Sequence, residues 1–120
     1  MGWLSTHVLD TAKGTPAADM ALSLWRWEGE TRQHLKTVRT NQDGRTDVPL
    51  LKEGDFEVGE YEIVFEVGDY FAKGDRTSSI PSNHPFLNLV PLRFGIADPQ
   101  AHYHVPLLVS PWSYSTYRGS

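Results

Sequence analysis

His102-Tyr-His-Val-Pro-Leu-Leu-Val-Ser-Pro-Trp-Ser-Tyr-Ser-Thr-Tyr-Arg-Gly-Ser120 is the stretch that decides the fold of this chain. It predicts two β-strands, over 102–109 and 112–118, joined at Ser110-Pro111-Trp112. Because side chains two apart share a strand face, one face of the first strand is apolar and belongs to the core. That face carries Tyr103, Val105, Leu107 and Val109. The opposite face carries His102, His104, Pro106 and Leu108, a composition that usually awaits a ligand or a partner subunit.

Turn signals recur at short intervals along the rest of the chain, between alternating or β-branched segments. Such spacing is typical of a β-sandwich or barrel. The further predicted strands lie near 5–10, 20–27, 33–40, 61–67 and 89–97, with a brief strand near 54–56. Residues 68–73 predict a short helix with Asp69 near its start as a cap. The Ser-, Thr- and Pro-rich segment 74–86 predicts a surface loop.

The 120 residues suffice for one domain with one core, and we expect a single domain over 1–120. A formal net charge of −4 argues against nucleic acid as the main partner, since phosphate binding needs a dense basic patch. The chain has no cysteine, which excludes disulfides and thiol chemistry. Neither a membrane span nor a signal peptide is visible, so we expect a cytoplasmic protein, or a periplasmic one if a leader has been removed.

Arg45 follows Asn41-Gln-Asp-Gly44, a tight turn that needs positive φ at the glycine. A guanidinium held on such a base could bind a carboxylate or an enolate-like oxygen through two parallel hydrogen bonds. The alternative is a solvated arginine paired with Asp43 or Asp47.

The histidines allow several readings. His7 shares a strand face with Leu9, and on position alone it is an exposed strand residue. His102-x-His104 could bind zinc with His7 as a third ligand, but an imidazole more commonly serves as a general acid or base. His34 and His84 have no polar cluster around them and are expected to be structural or solvated. The four tryptophans are expected to fill the core and interfaces rather than stack on nucleic-acid bases.

No nucleophilic serine elbow, phosphate-cradling glycine loop or Cys–His pair is present. Covalent catalysis is therefore unsupported, and activated water is the expected nucleophile if the protein is a hydrolase.

Taken together, the motifs resemble those of the transthyretin-related 5-hydroxyisourate hydrolases over nearly the full length of the chain. The matching segments are Leu4-Ser-Thr-His-Val-Leu-Asp10, Gly14-Thr-Pro-Ala17, Thr40-Asn-Gln-Asp-Gly-Arg-Thr-Asp47, Tyr61-Glu-Ile-Val-Phe65, Gly68-Asp-Tyr-Phe71, Pro85-Phe86, Pro91-Leu-Arg-Phe94, the stretch 102–111 and Tyr117-Arg-Gly-Ser120. The last tetrapeptide separates the enzymes of this family from its hormone carriers.

The resemblance implies an all-β, transthyretin-like sandwich of seven to eight strands, which we expect to carry one short helix. It also implies a homotetramer, a dimer of dimers, whose central channel between dimers holds the active sites. Carried over residue by residue, His7, Arg45 and His104 are the catalytic groups. The substrate-binding residues would be Leu108, Ser115, Tyr117, Arg118 and Ser120. No metal and no cofactor is implied, and His102 would support the site from behind.

The resemblance further implies that water opens the six-membered ring of 5-hydroxyisourate, giving 2-oxo-4-hydroxy-4-carboxy-5-ureidoimidazoline in urate catabolism. The two histidines would move protons and Arg45 would hold the oxyanion, in a pocket formed across a subunit boundary. Two other classes of protein stay open at this point. One is a carrier whose channel binds a small aromatic ligand without turnover, and the other is a structural interaction domain.

Overall fold

The computed structural model describes residues 2–74 and 84–119. The strands are Trp3–Ser5 (β1), Val8–Asp10 (β2), Thr15–Pro16 (β3), Ala21–Glu28 (β4), Thr31–Arg39 (β5), Gly59–Glu66 (β6), Leu89–Ile96 (β7), His102–His104 (β8), Leu107–Val109 (β9) and Tyr114–Ser115 (β10). A helix, Val67–Gly74 (α1), connects β6 to β7. Within the described ranges, no helix is long and apolar enough to cross a membrane.

The strands form two four-stranded sheets and one parallel pair. The outer sheet has the order β5-β4-β6-β7 and is antiparallel throughout. The second sheet has the order β10-β9-β2-β3, and β1 pairs with β8 beside it. The apolar faces of β4 and β6 form one core with those of β2 and β9. This arrangement confirms the predicted all-β sandwich with one short helix.

One register runs through both parallel pairings. β1 lies opposite β8 and β2 lies opposite β9, with the same separation of 99 residues in each pair. Between the pairs, Pro106 has no N–H for the ladder, and the Thr6 hydroxyl donates to the Val105 carbonyl oxygen (2.7 Å). The strands predicted over 5–10 and 102–109 are therefore each interrupted in the middle, which raises the number of strands above the predicted seven to eight.

The face assignment of the decisive stretch is confirmed. The predicted core residues of β8 and β9 are all buried (Tyr103, Val105, Leu107 and Val109). On the opposite face, His102, His104 and Leu108 are half-buried, and only Pro106 is fully covered. The alternation in β6 holds for its apolar face, since Tyr61, Ile63 and Phe65 are buried, but on the opposite face Glu60 is exposed and Glu62 is buried.

Several local predictions are wrong. Residues 54–56 form a turn in which the Lys52 carbonyl oxygen accepts from the amides of Asp55 (2.9 Å) and Phe56 (3.0 Å). The strand predicted over 112–118 is confined to β10. Helix α1 begins at Val67, which puts Asp69 inside its first turn rather than at the cap. Most of the loop predicted over 74–86 lies outside the described residues.

All four tryptophans lie outside the core, so the expectation of core and interface positions is wrong for the core. Trp3 is 40% exposed and Trp112 is 71% exposed. Trp25 and Trp27 are half-buried on the outer face of β4, where guanidinium groups cover their rings. The interior is filled by aliphatic side chains with Tyr61 and Phe65, because the inward positions of the strands are occupied by these residues.

Candidate active site

The turn that ends at Gly44 fixes the backbone from which Arg45 projects. Gly44 has a φ of +75°, and a Cβ there would overlap the Val8 carbonyl oxygen, so the turn needs glycine. The Asn41 side chain closes the turn by accepting from the amides of Asp43 (2.9 Å) and Arg45 (3.2 Å). Arg45 is exposed on this rigid base.

His7 lies between that turn and β9. It forms an isolated antiparallel bridge with Arg45, and the next amide, that of Val8, donates to the Gly44 carbonyl oxygen (2.8 Å). On its other side the His7 carbonyl oxygen accepts from the Leu107 amide (2.9 Å). The His7 side chain is half-buried. The backbone therefore brings His7 and Arg45 to one place.

His104 is held between β1 and the segment that follows β10. Ser5 lies opposite it in the parallel register. The Gly119 amide donates to the His104 carbonyl oxygen (2.7 Å), and the His104 amide donates back to the Gly119 carbonyl oxygen (3.3 Å). A Cβ on Gly119 would lie 2.9 Å from Cδ2 of the His104 ring. The tail thus packs directly on the imidazole, at a position where only glycine fits without displacement.

Ser5 is a site residue that the sequence analysis missed. Its hydroxyl oxygen lies 2.8 Å from Nδ1 of His104 and 2.7 Å from Nε2 of His102. The His102 ring is in turn stacked on Trp3, with centroids 4.0 Å apart and planes 15° from parallel. The sequence carries one signal for Ser5, since it precedes His7 by two residues and has the same strand parity.

Within a single chain, the charges of the predicted catalytic side chains act on one another. Burial lowers the pKa of His104, and the charges of Arg45, His102 and His7 lower it further. Burial and the charge of Arg45 also lower the pKa of His7, against an opposing hydrogen bond and charge from Asp43. Burial alone lowers the pKa of His102.

Arg45 does not have the ion-pair partner that its alternative reading required. In the described part of the chain the salt bridges involve Arg26, Arg32, Arg39 and Arg93. Asp47 accepts from the Asn41 side chain instead (3.1 Å). Among residues 2–74 and 84–119, Arg45 therefore forms no salt bridge, and its charge acts on the two histidines.

The predicted substrate-binding residues do not all lie on one face of the sheet. Leu108 and Ser115 are register partners in β9 and β10, on the outer face of their sheet. Tyr117 is exposed. The Arg118 guanidinium lies 4.1 Å from the centre of the Tyr103 ring, whose side chain points to the face opposite His104. Ser120 lies outside the described residues.

The metal reading has no ligand set in residues 2–74 and 84–119, where no group of three or more histidine, aspartate or glutamate side chains is arranged to hold an ion. The ring nitrogens that face each other at His102 and His104 are bridged by the Ser5 hydroxyl. The two other histidines are exposed, as expected, and His34 bonds only Thr37 (2.7 Å).

The chain is similar to known proteins over nearly its full length. The sequence profile of the HIUase/Transthyretin family matches residues 4–119. A 5-hydroxyisourate hydrolase from Ralstonia nicotianae is 57% identical over 120 residues, covering 100% of both chains.

Two solved structures have the same fold. The crystal structure of an (S)-allantoin synthase superposes with a TM-score of 0.87 and 51% identity, over 99% of this chain but only 44% of that longer one. Sea bream transthyretin, solved with thyroxine, gives a TM-score of 0.81 at 28% identity, over 97% of this chain and 93% of its own. The chain therefore belongs to the HIUase/Transthyretin family.

Proposed function

We propose that this protein hydrolyses 5-hydroxyisourate to 2-oxo-4-hydroxy-4-carboxy-5-ureidoimidazoline in urate catabolism. The observation that carries the proposal is the backbone bridge between His7 and Arg45 together with the effect of both charges on the half-buried His104. The likeness to a 5-hydroxyisourate hydrolase, 57% identical over the whole chain, supports the choice of substrate. The family match over 4–119 supports treating residues 1–120 as one hydrolase domain.

The histidines supply the proton transfer. Their pKa values are lowered, so at pH 7 both imidazoles are neutral and each has one nitrogen able to accept a proton. One histidine removes a proton from water, and the other orients that water or relays the proton. A positioned base of this kind contributes about 10²–10⁴ to the rate.

Arg45 supplies the charge for the oxyanion. When hydroxide adds to a ring carbonyl of the substrate, negative charge develops on the carbonyl oxygen. A guanidinium remains protonated throughout and can donate two parallel hydrogen bonds to that oxygen. Arg45 has no salt bridge within the described part of the chain, so no carboxylate there occupies its hydrogen-bond donors. Donors of this type contribute on the order of 10²–10³ each.

The reaction balances without a cofactor. The water oxygen forms a bond to the carbonyl carbon, the ring C–N bond breaks, and the proton held by the histidine passes to the departing nitrogen. Tyr117 and Ser120, with Ser115 and Leu108, would bind the edges of the substrate. Arg118 would join them only after its guanidinium leaves the Tyr103 ring.

The outer face of the β10-β9-β2-β3 sheet supports a homotetramer. Leu9 and Leu108 are neighbours across the β2–β9 pairing, and Ser115 extends their row in β10. Trp112 and Tyr117 are exposed nearby. A dimer of dimers that closes around this face would cover its apolar side chains and form a channel in front of His104.

One assay tests the proposal. Purified protein is added to freshly made 5-hydroxyisourate, and the loss of its ultraviolet absorbance is compared with the loss in buffer alone. We expect strong acceleration that survives prolonged treatment with a chelator. Saturable binding without acceleration would instead identify a carrier. The absence of both binding and a tetrameric mass in solution would identify a structural domain. A chelator-sensitive activity restored by zinc would turn the His-x-His pair into a metal site.

A further inference from the structure

The strongest unassigned feature is the hydroxyl group that joins two imidazoles behind the pocket. Ser5 Oγ is within hydrogen-bond distance of Nε2 of His102 (2.7 Å) and of Nδ1 of His104 (2.8 Å). Its placement follows from the sheet, because Ser5 is the register partner of His104 in the β1–β8 pair. The contact is therefore built into the strand pairing.

The proton count at this contact allows three arrangements. A serine hydroxyl has one hydrogen and two lone pairs, so it can donate to either imidazole and accept from the other, or accept from both and donate its hydrogen elsewhere. Whenever it accepts from His104, the imidazole proton of His104 is on Nδ1. If it donates to His104 Nδ1, the neutral His104 carries its proton on Nε2 and cannot accept another there. If it donates to His102 Nε2, His104 carries its proton on Nδ1 and its Nε2 has a free lone pair.

Contacts with neighbouring residues hold both imidazole rings against the Ser5 hydroxyl. The His102 ring is stacked on Trp3, its register partner. The His104 ring is confined by Gly119, where an added Cβ would come within 2.9 Å of Cδ2. Neither ring can rotate away from the hydroxyl without losing one of these contacts.

We propose that Ser5 is a positioning residue that donates to His102 Nε2 and accepts from His104 Nδ1–H, and so makes His104 the general base. The inference rests on the proposed function and decides which histidine accepts the proton from water. After that transfer the His104 imidazolium still donates from Nδ1 to Ser5, so the hydrogen bond is kept in both protonation states. The tautomer of a histidine is commonly fixed in this way by the partner of its other nitrogen.

Histidine NMR tests the tautomer without any turnover. In the full chain labelled with ¹⁵N-histidine, multiple-bond ¹H–¹⁵N couplings distinguish Nδ1–H from Nε2–H, and single histidine substitutions assign the signals. We expect Nδ1–H at neutral His104. In the variant His102→Phe, which keeps the ring stack but removes Nε2, the Ser5 hydroxyl is free to donate to His104, and we expect a shift toward Nε2–H.

Kinetics test the catalytic consequence. Ser5→Ala should lower kcat for 5-hydroxyisourate by about 10- to 100-fold with little change in KM, since part of the benefit of a positioned base is lost. Ser5→Thr restores the hydroxyl and suits a strand, so it should recover most of kcat. Ser23→Ala, a matched loss of a hydroxyl in β4 on the other sheet, should leave activity unchanged.

The outcomes separate this inference from the proposed function. Native turnover combined with an Nε2–H tautomer at His104 would overturn only the role of Ser5. Equal kcat values for folded Ser5→Ala and the native protein would do the same. A native protein that does not accelerate the decay of 5-hydroxyisourate would overturn the proposed function itself.

Discussion

The outer sheet, β5-β4-β6-β7, and the pocket around His7, Arg45 and His104 differ in how their charged side chains are paired. On the outer sheet, two arginines each bind a glutamate and each cover a tryptophan ring. The pairs are Arg32–Glu62 (2.7 Å) over Trp25 and Arg93–Glu60 (2.8 Å) over Trp27. Cation and anion are matched there within one sheet face, which leaves little charge available for a ligand.

The site around His7, Arg45 and His104 also carries an arginine, but no salt bridge of the described residues pairs it with a carboxylate. Arg45 has no carboxylate partner among the described salt bridges, and it faces two histidines whose pKa values its charge lowers. The difference predicts that charges of the outer sheet contribute to stability, whereas the charge of Arg45 contributes to the proposed activity. Substitutions in the two regions should therefore affect different measurements.

The largest expected effect is on activity, from Arg45→Ala. Loss of the oxyanion donor should lower kcat/KM for 5-hydroxyisourate by about 10²–10³-fold while the protein stays folded. Arg93→Ala is the matched control, because it removes an exposed guanidinium from the outer sheet, and it should change kcat/KM less than about twofold. Comparable losses in the two variants would contradict the distinction between the regions. The measurement is the ultraviolet assay.

A smaller loss of activity is expected from Gly119→Ala. The new methyl group would press on the His104 ring, and a displacement of a catalytic group by less than an ångström can lower the rate by about 10-fold or more. Gly95→Ala is the control, since nothing lies within 4 Å of a Cβ there. We expect reduced kcat for the first variant only. Full activity in Gly119→Ala would show that the tail does not position His104.

The third prediction concerns stability. Glu62 is only 8% exposed, so Arg32→Ala leaves a buried carboxylate without its ion-pair partner. An unpaired buried group of this kind costs about 1–3 kcal/mol in the free energy of unfolding. Denaturant unfolding should show this loss at unchanged kcat. Arg39→Ala, whose partner Asp19 is exposed, should be close to neutral, and equal losses in both variants would contradict the role of burial.

The smallest expected effect is a shift in titration. Because the charge of Arg45 lowers the pKa of His104 and of His7, replacing it with glutamine should raise both pKa values toward 6.5, by less than about one pH unit. The neutral base therefore persists to lower pH in the native protein than in Arg45→Gln. NMR titration of the histidine C–H signals measures this directly. Arg93→Gln should leave the pKa values of both histidines unchanged.

Alternation along the strands was sufficient to predict one face of the fold. The spacing of Tyr103, Val105, Leu107 and Val109 predicted the core face correctly, because strand periodicity is local. The interruption at Pro106 was harder to foresee, since it depends on the Thr6 hydroxyl reaching across from a strand 99 residues away. Asp69 was assigned to a cap because the sequence alone did not show that Val67 and Gly68 already belong to the helix.

The site was predictable to the extent that the family resemblance named its residues. His7, Arg45 and His104 are named by its motifs, and in the structure His7 is bridged to Arg45 while His104 pairs with Ser5, two residues before His7. Ser5 could not be found in this way, because its contacts depend on the register between β1 and β8. The core positions predicted for the tryptophans are wrong for a related reason, since a bulky ring covered by a guanidinium can lie outside the core.

The constant pairing offset of 99 residues has a consequence for biosynthesis. Strands β1 and β2 leave the ribosome before their partners β8 and β9, which follow 99 residues later, and Gly119 must follow before it can pack on His104. Pairings between sequence-distant segments are slow because loop-closure entropy must be overcome first. A translation product that ends before position 102 would hold β1, β2 and Arg45 but neither His102 nor His104. It would therefore lack the strands that complete both parallel pairings.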